Sequence, residues 1–158
     1  MFMSTPRTVL ITGGNRGIGF ALAQRFIADG HRVAVTARSG EGPTGSLTVT
    51  ADVTDGASLD AAVATVEAKL GPIEVLVANA GITKDTLLLR MSDEDFEEVI
   101  NTNLVGVFRV VKRCIKSMMK AKYGRVVLIS SVVGLYGSPG QVNYAASKAA
   151  LVGFARSM

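Results

Sequence analysis

Three side chains in the last third of the chain could together transfer a proton. Tyr144 and Lys148 are four positions apart in a segment with helical character, so they would share one helix face. A phenol is a poor acid–base group at neutral pH, and a neighbouring ammonium favours its ionised form. Ser131 follows a predicted strand, where its hydroxyl could bind a substrate oxygen. This set suits reduction of a carbonyl or oxidation of a hydroxyl, with Tyr144 exchanging the proton.

Each of these residues also has an ordinary structural interpretation. A tyrosine and a lysine four positions apart occur by chance on many exposed helices. Ser131 stands beside Ser130 and could belong to a strand-end turn. The residue types by themselves leave both interpretations open.

A glycine-rich segment, TGGNRGIG at residues 12–19, could hold a phosphate. It lies between the first predicted strand and the first predicted helix. Glycines let a backbone turn tightly and approach a pyrophosphate, and the helix N-terminus adds free N–H groups. A turn without a ligand is the alternative. The candidate contacts are Gly13, Asn15, Arg16, Gly17, Ile18 and Gly19.

The end of the second predicted strand favours NADP over NAD as the cofactor. It reads Thr36-Ala37-Arg38, without the acid that binds the ribose 2′-hydroxyl in many NAD enzymes. Arg38 and Arg16 could together hold a 2′-phosphate, because a guanidinium matches phosphate geometry. Two solvated surface arginines are the alternative interpretation.

Strands alternate with helices along the chain. The predicted strands are 7–12, 32–36, 47–51, 73–78 and 125–130. The predicted helices are 18–28, one from Thr54 or Asp55 to Leu70, one long helix 92–121, and one from Tyr144 onward. This alternation predicts an α/β fold, a Rossmann-type doubly wound parallel sheet with helices on both faces, in a single domain over residues 1–158.

Composition narrows the classes of function. The chain has 158 residues, 48% of them hydrophobic, and a net charge of +4, with no run of like charge that would indicate a nucleic-acid partner. Apolar runs such as 126–133 are too short to span a membrane, and residues 1–7 lack the apolar segment of a signal peptide. One cysteine, Cys114, excludes an internal disulfide and fits a cytoplasmic location. With His31 as the only histidine, no metal site is expected.

Six motifs in order resemble the short-chain dehydrogenase/reductase family along nearly the whole chain. They are the glycine turn, Asp52-Val53, Asn79-Ala80-Gly81, Asn103, Ser131, and Tyr144 with Lys148. The resemblance implies an adenine contact at Asp52 and Val53, cofactor contacts at residues 79–81, and a catalytic tetrad of Asn103, Ser131, Tyr144 and Lys148. It further implies that Lys148 binds the nicotinamide ribose and that Asn103 holds a water connecting Lys148 to solvent. Asn103 could otherwise be a helix residue that bonds a neighbouring loop.

Within that family, segments 79–108 and 129–158 resemble the 3-oxoacyl-[acyl-carrier-protein] reductases. That resemblance implies NADPH-dependent reduction of a 3-oxoacyl thioester held on an acyl carrier protein, in fatty-acid synthesis. Reduction of acetoacetyl-CoA or a polyketide, or a non-catalytic nucleotide-binding fragment, remain alternatives. An acidic carrier could dock on basic residues toward the end of the long helix, for which a solvated helix face is the other explanation. They are Lys112, Arg113, Lys116, Lys120, Lys122 and Arg125.

Two expectations concern what lies beyond a single copy of this chain. The last two predicted helices carry apolar residues on more than one face, which predicts a homo-oligomer, a dimer or tetramer, built on helices. The residues concerned are Val105, Phe108, Val111, Ile115, Leu151 and Phe154. The last helix reaches Met158 without a stop signal. We therefore expect a C-terminally truncated member of the family, without the later strands and the substrate lid, that by itself is a poor reductase.

Overall fold

Five short strands form a parallel sheet at the centre of the computed structural model, which describes residues 5–158. They are β1 (Thr8–Thr12), β2 (Arg32–Ala37), β3 (Leu47–Thr50), β4 (Val75–Ala78) and β5 (Arg125–Leu128). The strand order is β3-β2-β1-β4-β5, and every neighbouring pair is parallel. The predicted Rossmann-type α/β fold is therefore confirmed.

The order of the strands reverses beside β1. Leu10 in β1 is paired with Ala34 in β2 on one side and with Leu76 in β4 on the other. The chain leaves β1 toward β2 and β3, then crosses over to β4 and β5. In open α/β sheets, the crevice at the carboxyl ends of the strands that flank such a reversal is the usual ligand site.

Helices cover both faces of the sheet, and alternate residues of β1 face each side. The helices are α1 (Gly17–Ala28), α2 (Gly56–Leu70), α3 (Asp93–Ile100), α4 (Gly106–Ala121), α5 (Val133–Tyr136) and α6 (Val142–Arg156), with a 3-10 turn at Leu88–Arg90. Leu10 packs into the larger core with α2 and α4, whereas Val9 and Ile11 pack with Ala23 of α1.

The helix starts follow the capping signals in the sequence. Asp55 caps α2 by accepting the N–H of Ala57, and Ser92 caps α3 by accepting the N–H of Asp95. Gly71, at φ +87°, follows the last residue of α2. Strand ends differ from the predicted ones by one or two residues.

The long helix expected over 92–121 is not continuous. A π-helical segment, Asn101–Val105, separates α3 from α4 and places Asn103 fully inside the protein. Such segments insert an extra residue into a helical turn and occur often at functional sites. The periodicity of apolar residues does not reveal this insertion, because the turns on both sides keep their helical spacing.

Some apolar residues expected to be surplus for one copy of the chain belong to its core. Val111 and Leu151 are buried, and Ile115 and Phe154 pack against the same core. Phe108 is different, with 47% of its surface exposed. The prediction that Val111 and Leu151 are surplus apolar residues is therefore wrong, and exposed Phe108 remains the main candidate for a helical interface.

Among residues 5–158, no helix is both long and apolar enough to cross a membrane. Residues 1–4 lie outside the described part of the chain, so the expectation that residues 1–7 form no signal peptide stays a prediction. Cys114 is buried, and burial raises the pKa of its thiol to about 12.

Candidate cofactor and active site

A cleft of about 670 Å³ opens beside the reversal in strand order. Its lining comes from the glycine turn after β1, the end of β2, and the loops after β3 and β4. This volume lies within the usual range of ligand-binding clefts. The candidate cofactor residues that line it are Gly13, Asn15, Arg16, Gly17, Ile18, Arg38, Asp52, Val53, Asn79, Ala80 and Gly81.

The turn after β1 requires glycine at two positions for different reasons. Gly13 has a φ of +67°, in the left-handed region that residues with a side chain rarely adopt. A Cβ atom on Gly19 would lie 2.4 Å from the carbonyl oxygen of Gly13 and 2.6 Å from Nδ2 of Asn79. The first turn of α1 can therefore pack against the glycine turn only because Gly19 lacks a side chain.

Asn79 fastens the glycine turn to the end of β4. Its Nδ2 donates to the carbonyl oxygens of Thr12 and Gly13, at 2.9 and 3.1 Å. In return, Oγ1 of Thr12 accepts the N–H groups of Asn79 and Ala80, both at 3.0 Å. These four hydrogen bonds join β1 and β4 where the strand order reverses. Asn79 thus has a positioning role in addition to lining the cleft.

The N-terminus of α1 faces this region with unsatisfied donors. Arg16, the N-cap residue, has an extended backbone, and within residues 5–158 no side chain caps this helix. The free N–H groups and the positive end of the helix dipole suit a phosphate. Ile18, in the first turn, lines the cleft while 63% exposed.

Arg16 and Arg38 are exposed and border the same cleft. Asn15 links their two segments, because its Nδ2 donates to the carbonyl oxygen of Ser39 at 2.9 Å. The glycine turn is thereby tied to the residue that follows Arg38. Two guanidinium groups at one cleft provide the charge and the donors that a phosphate monoester requires.

Asp52 is held in its ionised form at the far side of the cleft. Its Oδ1 accepts the N–H of Thr54 at 2.8 Å and the hydroxyl of Thr54 at 2.7 Å. These hydrogen bonds are the main reason that the pKa of Asp52 is lowered, and the charge of Arg38 lowers it further. The neighbouring Val53 is buried against Gly106, where a Cβ atom would lie 2.8 Å from Val53 Cγ2.

The cleft continues into a second part, of about 420 Å³, that reaches Tyr144 and Lys148. The two parts share the lining residues Arg16, Ile18, Asn79, Gly81 and Ile82, so they form one groove. Nζ of Lys148 lies 5.7 Å from the centre of the Tyr144 ring. The four-residue spacing on α6 therefore brings both side chains to the same end of the groove.

Lys148 is anchored to the end of β5 through both its side chain and its main chain. Its ammonium donates to the carbonyl oxygen of Ile129 at 2.6 Å, and its own carbonyl oxygen accepts the hydroxyl of Ser130 at 2.8 Å. Lys148 is 5% exposed, and this burial lowers its pKa because it disfavours the charged form. No sequence pattern marks Ile129 or Ser130 as anchors. Ile129 acts through its main-chain oxygen, which a residue of any type would supply.

Asn103 bonds both main-chain groups of Ile82 from inside the protein. Its Oδ1 accepts the N–H of Ile82 at 2.8 Å, and its Nδ2 donates to the carbonyl oxygen at 2.9 Å. Nδ2 also donates to Oγ of Ser147 at 3.2 Å. A Cβ atom on Gly81 would lie 3.1 Å from Oδ1 of Asn103 and 3.7 Å from Nζ of Lys148. Asn103 is therefore close to Lys148, and its predicted water stays a prediction.

Ser131 lies in the turn between β5 and α5. Its Oγ accepts the N–H of Val133 at 3.2 Å, and its carbonyl oxygen accepts the N–H of Gly134 at 3.0 Å. Among the described residues, the groove lining contains Tyr144, Lys148 and Ile129 but not Ser131. The predicted contact between Ser131 and a substrate oxygen stays a prediction.

Comparison with known proteins matches this chain to one family over almost all its length. The model of the short chain dehydrogenases matches residues 7–158. The chain belongs to the short-chain dehydrogenase family. The matched range contains the glycine turn, the loop after β4, and Tyr144 with Lys148. The resemblance seen in the motifs is thus confirmed.

Similar members of the short-chain dehydrogenase family are named as reductases. The 3-oxoacyl-[acyl-carrier-protein] reductases MabA of Mycobacterium avium and of Mycobacterium tuberculosis strain H37Rv are each 55% identical over 152 residues, 96% of this chain. The reductase FabG of Escherichia coli strain K12 is 42% identical over 160 residues. The chain spans 60%, 62% and 66% of the lengths of these three relatives.

Proposed function

We propose that this chain carries the NADP-binding domain and the proton-transfer residues of a 3-oxoacyl-thioester reductase. The observation that carries this proposal is the single groove, which has Arg38 in its first part, Tyr144 and Lys148 in its second part, and Arg16 lining both. The relatives named above support the substrate class, because their names specify a 3-oxoacyl group on an acyl carrier protein.

The residues of the groove fit a dinucleotide that carries a 2′-phosphate. The turn at Gly13 exposes backbone where a pyrophosphate would lie, and the uncapped N-terminus of α1 offers donors. Arg16 and Arg38 would bind the 2′-phosphate and Asp52 would contact the adenine, and all three residues line the groove. When bound, the nicotinamide supplies the hydride that reduces the substrate carbonyl.

Tyr144 donates a proton to the substrate oxygen as the carbonyl is reduced. The ammonium of Lys148 stabilises the phenolate that this transfer leaves behind. Oγ of Ser131 already accepts the N–H of Val133, so its own proton is free to donate to the same substrate oxygen. In this proposal Asn103 holds the water through which Tyr144 and Lys148 regain a proton from solvent.

We propose that the substrate arrives on an acidic acyl carrier protein that docks near the end of α4. Arg113 is already occupied there, since it donates to Asp60 at 2.8 and 3.0 Å and to the carbonyl oxygen of Gly56. Lys112, Lys116 and Lys120 are the other members of the predicted basic set on this helix, and all three are exposed. A cytoplasmic location and assembly into a dimer or tetramer complete the proposal.

Nucleotide binding and turnover test these statements separately. Calorimetric titration should show tighter binding of NADPH than of NADH. Oxidation of NADPH should then be compared with a 3-oxoacyl group on a carrier protein, on coenzyme A, and as a free ester. Fastest turnover of the carrier-bound thioester supports the proposal. Preference for NADH, or for the free ketone, would contradict it.

A further inference from the structure

A second buried asparagine lies at the start of the helix that carries Tyr144. Asn143 is fully buried, and its Nδ2 donates to the carbonyl oxygens of Lys84 at 3.0 Å and Asp95 at 3.3 Å. Its Oδ1 accepts the N–H of Tyr144 at 2.7 Å. One side chain thus joins the loop after β4, the helix α3 and the first turn of α6.

The first turn of α6 depends on this side chain for its hydrogen bonds. The first N–H groups of a helix have no partners inside the helix. Gln141, at the N-cap position, gives the turn no side-chain bond, whereas Asn143 provides an acceptor for Tyr144. A buried amide is stable only if its donors and acceptor are satisfied, and Asn143 meets that condition by bonding three segments.

Tyr144 and Lys148 are therefore fixed to different parts of the protein. Lys148 is fixed to β5, through Ile129 and Ser130. Tyr144, one turn earlier on α6, is fixed through Asn143 to the loop that lines the groove. Asn143 thus holds the turn of α6 that carries Tyr144, whereas β5 holds the turn that carries Lys148.

The other side-chain bonds made directly between these segments are exposed to water, whereas the N–H of Thr86 donates to the carbonyl oxygen of Gly140 through the main chain. Lys84 pairs with Asp95 at 2.9 Å, but both side chains are more than a third exposed. Gln141 donates to Asp85 at 2.8 Å on the surface. Exposed pairs of this kind contribute little, because water competes for the same groups. Asn143 is shielded from water, so its bonds are the stronger constraint on the start of α6.

We propose that Asn143 is a positioning residue that sets where the Tyr144 phenol stands relative to Lys148. Asn143 does not line the groove; it acts through the backbone of Tyr144. The catalytic consequence rests on the proposed function. The structural part can be measured without any substrate.

Nuclear magnetic resonance of chain labelled at the tyrosine Cζ atoms tests the structural part. The chain has three tyrosines, and the Tyr144 signal is assigned by its loss in Tyr144→Phe. In Asn143→Ala we expect the Tyr144 signal to move or broaden while those of Tyr123 and Tyr136 keep their positions. Amide exchange at Tyr144 should accelerate about tenfold, as expected for the loss of one hydrogen bond.

Gln141→Ala is the matched control, because it removes a bond between the same two segments on the exposed side. It should leave all three tyrosine signals unchanged. Asn143→Asp keeps an acceptor for Tyr144 but loses both donors, so the amide should stay protected while the ring signal moves. If Asn143→Ala does not fold, Asn143→Asp replaces it in this test. An unchanged Tyr144 signal in a folded variant would overturn the proposal.

Kinetics test the catalytic consequence in a preparation that reduces a 3-oxoacyl thioester. Asn143→Ala should lower kcat at least tenfold and raise the solvent deuterium isotope effect on kcat, with KM for NADPH unchanged. A loss of NADPH affinity equal to the loss of kcat would mean general damage and would overturn the positioning role. If the unsubstituted chain does not bind NADPH, the proposed function fails, and the tyrosine signals still decide the role of Asn143.

Discussion

Asn103 and Ser147 are both fully buried, and Nδ2 of Asn103 donates to Oγ of Ser147 at 3.2 Å. Ser147 also donates to the carbonyl oxygen of Tyr144 at 2.7 Å and directly precedes Lys148. The π-helical segment is thereby bonded to α6 between the two residues proposed to transfer the proton. Asn103 also bonds both main-chain groups of Ile82, so it connects the lining of the groove to the helix that carries Tyr144 and Lys148.

Replacing buried Asn103 with alanine should destabilise the chain by about 2–4 kcal/mol, because both main-chain groups of half-buried Ile82 lose their partners. Ser147→Ala should cost less, about 1 kcal/mol, since Nδ2 of Asn103 keeps its bond to Ile82. Urea unfolding of both variants measures the difference. A larger loss in Ser147→Ala than in Asn103→Ala would contradict this account.

Tyr144→Phe should lower kcat by a factor of about 10²–10⁴ while NADPH still binds, because only the proton donor is removed. Tyr123→Phe is the control. The guanidinium of Arg7 lies 3.9 Å from the centre of the Tyr123 ring, at the amino ends of β1 and β5, and phenylalanine keeps that ring. Near-normal turnover in Tyr144→Phe, measured by NADPH oxidation, would remove Tyr144 from the mechanism.

Arg38→Ala should weaken binding of NADPH far more than binding of NADH. Loss of a charge-assisted phosphate contact costs about 1.5–3 kcal/mol, which corresponds to roughly 10- to 150-fold in Kd. Arg25→Ala removes an equal charge from an exposed pair with Asp29 on α1 and should change neither affinity. Equal losses for both nucleotides in Arg38→Ala would show that this residue does not contact the 2′-phosphate.

Gly19→Ala should abolish tight NADPH binding, because the new Cβ atom would overlap the backbone of the glycine turn. Gly153→Ala is a suitable comparison. It lies in α6 with nothing within 4 Å of the added atom, and alanine there should stabilise the helix by up to about 1 kcal/mol. Calorimetric binding and thermal unfolding of the two variants measure both effects. Wild-type affinity in Gly19→Ala would refute the close packing of α1 on the turn.

Cys114 should react with thiol reagents much more slowly in the folded chain than in urea. Burial, the largest cause, and the charge of Glu67 raise the pKa of Cys114 to about 12, so its reactive thiolate is scarce. Because the pKa of Cys114 is raised in the folded state, the neutral thiol contributes its full stability to that state below pH 9, the ordinary pKa of a thiol. This contribution is lost as the pH rises toward 12. Between about pH 9 and 12, the free energy of unfolding of Cys114→Ser should fall less steeply with pH than that of the wild type. Equal slopes for the two proteins would argue against the raised pKa of Cys114.

Much of the fold is predictable because its strands are short β-branched runs between glycine turns. Residues such as Val33 and Val77 carry that pattern, and both are buried in the sheet. The π-helical segment and the short helix α5 are not predictable in this way. The first depends on a contact between Asn103 and the main chain of Ile82, and the second is only four residues long.

The candidate site is predictable where a residue type is required and unpredictable where a main-chain atom acts. Glycine at positions 13 and 19, and the pair Tyr144 and Lys148, have recognisable spacing. Ile129 contributes a carbonyl oxygen that any residue could supply, so no pattern marks it. The roles of Asn143 and Ser147 depend on which loops pack beside α6, and the sequence of α6 does not contain that information.

Side chains that hydrogen-bond to main-chain atoms stabilise the loops around the groove. Asn79 bonds the main chain of Thr12 and Gly13, and Asn103 bonds the main chain of Ile82. Such a bond does not depend on the side chain of the residue whose main-chain group takes part in it. Ile82 lines both parts of the groove, and we expect that it can be exchanged for a smaller or larger residue while its backbone stays in place. A substitution at position 82 should therefore change the width of the groove and leave the hydrogen bonds of Asn103 to the main chain of residue 82 in place.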